Sequence, residues 1–141
     1  MALRTELATH RETYLAAVLG GLAYSTLVGL WFVDSGVTVT GSGLDAAIGI
    51  GYGWTGLFLM AAIPIALFGR FSLVTAPLAT LAILGNTVSQ WLSGTHPHPL
   101  ASYVIVWPLL VGTTVAVASG EALVRVVLAR TTGLFELRPI R

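Results

Sequence analysis

Residues 46–92 read AAIGIGYGWTGLFLMAAIPIALFGRFSLVTAPLATLAILGNTVSQWL, and the one charge in that run is Arg70. Two apolar stretches flank it, from Ala46 to Phe68 and from Leu73 to Leu92. Each is close to the about 20 residues that a helix needs to cross about 30 Å of hydrocarbon. Only Gly69-Arg70-Phe71-Ser72 lies between them, so the two helices must fold back as a tight antiparallel hairpin.

Two further stretches of the same kind lie outside this hairpin: Tyr14 to Val33, and Tyr103 to Leu128. The runs show no alternation of polar and apolar residues, which excludes membrane β-strands. The first is longer than the about 7–15 residues of a secretory signal core, and no small-x-small cleavage site with a soluble domain follows it. It is read as a true span. The expected fold is therefore an all-α integral membrane protein, an antiparallel four-helix transmembrane bundle forming one domain over residues 1–141. Asp34 to Asp45 and Ser93 to Leu100 are loops, and the two prolines of the second, Pro97 and Pro99, argue against helix there.

Bulk composition agrees. The chain of 141 residues is 55% hydrophobic and 9% charged, with a mean hydropathy of +0.86. Soluble domains carry about 25% charged residues to keep their surface wet. The net charge of +1 gives no electrostatic footprint for nucleic acid. The absence of cysteine excludes disulfides, thiolate metal sites and thiol chemistry. All basic residues are arginine, a bias that fits a GC-rich prokaryotic genome.

Orientation follows from those arginines. In a four-span chain Arg4, Arg11, Arg70, Arg125, Arg130, Arg138 and Arg141 all fall on one side, and Asp34, Asp45, His96 and His98 on the other. The positive-inside rule makes the arginine side cytoplasmic, which puts both termini inside a cell membrane. Residues 1–12 read as a brief surface helix leading into the first span. The tail from Thr131, with Leu134, Phe135, Leu137, Arg138 and Arg141, suits the anionic inner leaflet.

Small residues four apart mark packing seams: Ala17, Gly21, Ser25 and Gly29 in the first span, Gly49, Gly53 and Gly56 in the second, Gly112, Ala116 and Gly120 in the fourth. Such seams let helices approach closely in lipid, and here they are read as contacts inside the bundle. Pro64, Pro77 and Pro108 lie inside spans and can kink them.

The polar residues inside spans are few. Ala82, Asn86 and Gln90, with Thr87 and Ser89 alongside, make a stripe on the third span that must face the bundle or a wet cavity. Trp54 and Trp107 lie deeper than an interfacial belt; anchoring and bundle packing is the reading preferred, with walls for an apolar pocket as the functional alternative, whereas Trp31, Trp91 and Tyr103 fit the belt itself. Asn86, Gln90, Trp54 and Trp107 are thus the candidate site in the outer half. Glu121 and Arg125, four apart, are read as an ion pair at the inner end of the fourth span. His96 and His98 could ligate a metal with Asp34 or Asp45, but a solvated loop is the reading preferred. No histidine lies in a span, so haem between two histidines is excluded, and no intramembrane base activates a serine.

The chain resembles the small multidrug transporters in size and span count, but the acidic residue their first span carries has no counterpart in Tyr14–Val33. Gly29-Leu30-Trp31 also resembles a tripeptide of claudin-like tetraspan proteins, without their large outer loop. No family is assigned on either. The functional expectation is a non-catalytic structural or accessory subunit with no cofactor, whose partners are the lipid bilayer and either further copies of itself or a larger membrane complex. The rival is a transporter or channel for a small solute or hydrophobic ligand, using the outer-half cavity.

Overall fold

A computed structural model describes residues 2–132, with side chains from Arg11 to Thr131. Among the described residues it is all-helical: α1 (Ala2–Asp34), α2 (Leu44–Phe71), α3 (Thr75–Ser93), α4 (Pro99–Ile105) and α5 (Trp107–Thr132). Three segments are long and apolar enough to cross a membrane: Arg11–Asp34, Leu44–Phe71 and Trp107–Thr131. The 19-residue α3 is not among them, because Asn86, Thr87, Ser89 and Gln90 dilute its apolar character. The leaflet contact expected of the tail lies outside the described residues.

Each helix ends for a local reason. After α1, Gly36 adopts φ +89°, Val37 N–H reaches back to Phe32 O (3.0 Å) and Gly36 N–H to Val33 O (3.1 Å). This is the two-bond Schellman stop, and Val37 completes it by packing against the cluster that holds Phe32. Gly94, at φ +63°, ends α3. Ser72 ends α2 at φ +55°, donating its N–H to Phe68 O at 2.8 Å, and is the one non-glycine residue with positive φ among the described residues.

Three expectations change. Residues 2–12 do not form a separate surface helix; their backbone runs unbroken into α1, 33 residues long. The last apolar stretch is two helices, not one: α4 stops at Ile105 and α5 starts at Trp107. Pro108 lacks the N–H that would have continued the ladder, so it sits in the first turn of α5, where that N–H is not needed. Pro99 likewise opens α4 at its first turn instead of excluding helix. With Pro77 third in α3, Pro64 in α2 is the proline that stands in a helix interior.

α2 is the central element. It packs along α1 on one side and meets α3, α4 and α5 on the other, while α3 also packs on α5. Its contact with α1 is built from glycines that receive large side chains. A Cβ on Gly21 would come within 2.7 Å of the Phe58 ring, and one on Gly29 within 3.2 Å of Trp54. Gly20 faces Ile65, and Gly69 of α2 faces Thr13. On its opposite face, Gly56 seats the Trp107 ring and Gly53 takes Val104, where a Cβ would meet Cγ1 at 2.8 Å.

These contacts give the molecule two ends. Arg70 Nη1 donates to Tyr14 Oη at 2.6 Å, and Arg125 Nη2 to Ser72 O at 2.9 Å. The starts of α1 and α3 therefore share an end with the finishes of α2 and α5, and Arg11, Arg70, Arg125 and Arg130 cluster there. At the other end, Trp31 meets Trp91 edge-on (5.6 Å between centroids) and Phe32 meets Tyr103 (5.8 Å). Asp34, Asp45, His96 and His98 belong to this histidine end.

Candidate functional site

The Asn/Gln stripe of α3 lines an open crevice at the histidine end, of about 400 Å³, between α3, α4 and the start of α5. Asn86 is exposed and Gln90 half-buried, and they share the crevice with His96, Ser102 and Tyr103. Neither side-chain amide has a hydrogen-bond partner among the described residues. Thr87, beside them, is buried and satisfied, its hydroxyl donating to Ile83 O at 3.0 Å. The crevice thus pairs two unused amides with an apolar floor that includes Ile83 and Leu110.

Trp54 and Trp107 do not join that crevice. Trp54 lies over Gly29 at the α1–α2 contact, and Trp107 over Gly56, with the Tyr52 ring 5.6 Å away. The Trp107 Nε1–H is buried without an acceptor among the described residues. Both rings are packing wedges. The four residues expected to form one site therefore divide into an amide pair and two separate aromatic seats.

Tyr103 also leaves the belt expected of it. It is 2% exposed, in the cluster of Phe32, Leu57, Met60 and Leu100, and its hydroxyl bonds that of Tyr24 at 2.6 Å. Placing it in the belt followed from its position near a span end. Tyr24 and Tyr103 are 79 residues apart, and nothing local in the chain announces their contact.

His96 opens into the α3 crevice, but His98 lines a different recess, between the 35–40 loop and residues 97–101. Among the described residues no group of three or more His, Cys, Asp or Glu side chains could hold a metal. His96, His98 and the loop aspartates do not assemble a shell.

At the arginine end, Glu121 and Arg125 form an ion pair. The pair does more than neutralise itself. Glu121 Oε2 accepts the Thr75 N–H at 2.8 Å and the Thr75 hydroxyl at 2.6 Å, and Oε1 takes the Val74 N–H at 3.4 Å. No side chain of α3's own cap position fills that role. A carboxylate from α5 therefore caps α3 from across the bundle, where the partial positive charge of the helix start favours an anion. Arg125, held by Glu121, then clamps Ser72 O in the α2–α3 turn. Glu-to-Arg spacing revealed the pair; Thr75 at the head of α3 was the available sign of a site needing a cap.

Comparison with protein-family models, with curated proteins and with solved structures finds no match.

Proposed function

We propose that the chain is a non-catalytic accessory subunit of the cell membrane, a single domain crossing the bilayer four times with both termini cytoplasmic. At 19 residues, α3 is about 28 Å long, enough to cross as the fourth helix despite its polar stripe. The clustering of arginines at one end supports a common cytoplasmic side for them.

One observation carries the subunit reading. The small-residue faces of α1 and α2 are filled, whereas that of α5 is empty: a Cβ on Gly112 or Gly120 would meet nothing within 4 Å, and Ala116 is exposed. In lipid a helix gains little by exposing glycine, and gains close backbone contact by pairing it. The unpartnered Asn86 amide points the same way, because membrane helices use such groups as interhelical hydrogen bonds. A second copy or a partner helix would use both.

Gentle detergent extraction, followed by identification of co-purifying protein, tests this. A stable complex or homo-oligomer that dissociates on Gly112→Leu with Gly120→Leu is expected; a chain that is monomeric and alone before mutation overturns the reading. The cysteine-free sequence suits labelling of topology. Cysteine at Ser42 or Thr95 should react with an impermeant thiol reagent in intact cells, and cysteine at Ser72 should not. Reaction at Ser72 alone reverses the orientation.

The second reading, passage or binding of a small solute or hydrophobic ligand, is favoured by the two unused amides in the crevice. Below it, Ala76 and Ala118, at 0% and 1% exposure, close the contact between α3 and α5. Transport would require that contact to open, so joining Ala76 to Ala118 through engineered cysteines should abolish it.

A further inference from the structure

A third cavity lies at the arginine end, far from the crevice that the polar stripe marks and from the recess that His98 lines. It is a groove of about 380 Å³ between the α2–α3 turn and one side of α5. Leu67, Phe71 and Leu73 form one wall, and Val115, Ala118 and Val126 the other. The Ser119 hydroxyl within it is spent on Val115 O at 2.8 Å. Arg125 and Ser72 stand at its mouth.

From Val115 to Val126 the α5 wall rises about 16 Å, roughly half of the 30 Å hydrocarbon thickness, or one leaflet. Spread over that length, 380 Å³ leaves a cross-section on the order of 24 Å². An apolar groove of this length and volume suits an extended hydrocarbon chain lying along α5.

The mouth sets the charge of the occupant. Arg125 uses a single nitrogen, Nη2, for both Glu121 and Ser72 O. Its Nε and Nη1, and the Ser72 hydroxyl, have no partner among the described residues. Behind the Phe71 wall, the Arg70 guanidinium lies 5.5 Å from the ring centroid, and no carboxylate pairs with it among the described residues. Two arginines against one glutamate leave the mouth with a net positive charge. A phosphate accepts from guanidinium and hydroxyl donors together, and at the surface of an anionic leaflet it is the acceptor that lipid supplies.

We infer that this groove binds one anionic phospholipid of the inner leaflet, with an acyl chain along α5 and the headgroup phosphate on Arg125 and Ser72. The inference rests on the membrane-spanning reading above but not on the subunit role. The full chain, purified in mild detergent and stripped of lipid, is titrated with phosphatidylglycerol and with phosphatidylcholine, and bound lipid is counted by native mass spectrometry. One arginine near a membrane surface favours an anionic lipid about fivefold, which is the preference expected for phosphatidylglycerol. Arg125→Gln should erase that preference. Ser119→Phe, which fills the groove and leaves the ion pair intact, should weaken both lipids; it carries the test should Arg125→Gln fail to fold. Arg130→Gln, on the same helix outside the groove, should change neither. Equal affinity of the unmodified chain for the two lipids overturns the site. So does unchanged binding by Ser119→Phe, or loss of preference with Arg130→Gln equal to that with Arg125→Gln. A monomer that still selects phosphatidylglycerol would keep this inference while removing the subunit reading.

Discussion

The contact between α1 and α2 and the outward face of α5 are written in the same sequence pattern and used in opposite ways. On α1, Ala17, Gly21, Ser25 and Gly29 are all buried, and glycines at the contact lie under Phe58, Ile65 and Trp54. On α5, Gly112, Ala116 and Gly120 repeat the spacing, yet a Cβ on either glycine would meet nothing within 4 Å and Ala116 is exposed. The difference lies in the facing helix: α2 supplies large side chains in register with α1, whereas the described helices pack on the other side of α5, through Thr114 and Ala118. Small residues mark where a backbone can be approached, and only a large residue opposite turns that into a contact.

The contrast can be broken most severely at a filled seat. Gly56→Leu drives a side chain into the Trp107 ring, and about 3 kcal/mol of stability should be lost, seen as a lower unfolding midpoint in mixed detergent micelles. An unchanged midpoint would mean that Trp107 is not seated there. Glu121→Ala removes the cap of α3 and leaves Arg125 without its partner, at about 2 kcal/mol in the same assay. Glu121→Gln keeps an acceptor for Thr75 and should cost less. Ser72→Gly relieves the left-handed backbone at the turn and should raise stability by about 0.5 kcal/mol. Gly112→Leu sharpens the comparison from the other side: within about 0.5 kcal/mol of the parent in folding, since nothing lies nearby, yet deficient in association. Destabilisation of the isolated chain by that change would place Gly112 in an intramolecular contact.

The helices were legible in the chain because apolar length and arginine placement are local quantities. The connector expected at residues 69–72 is Ser72–Val74, one residue shorter and displaced toward α3, because α2 runs on through Arg70 to Phe71. The candidate site was half legible. Asn86 and Gln90 do share a cavity, four residues apart on one helix face. Trp54 and Trp107 were grouped with them on depth, but depth does not say around which side of a helix a ring points.

By itself, then, the sequence determined that this protein is helical and apolar enough to cross a membrane, and which end of the molecule collects the arginines, while four spans were expected where three helices meet that length and hydropathy. Each depends on side chains acting one at a time on their own backbone and solvent. The tertiary structure alone decided which glycines are filled, that Tyr103 is buried against Tyr24, that Glu121 caps α3, and that an apolar groove along α5 ends on Arg125. Those outcomes join residues tens of positions apart, and they depend on the register and rotation of whole helices against one another, which no local run of sequence encodes.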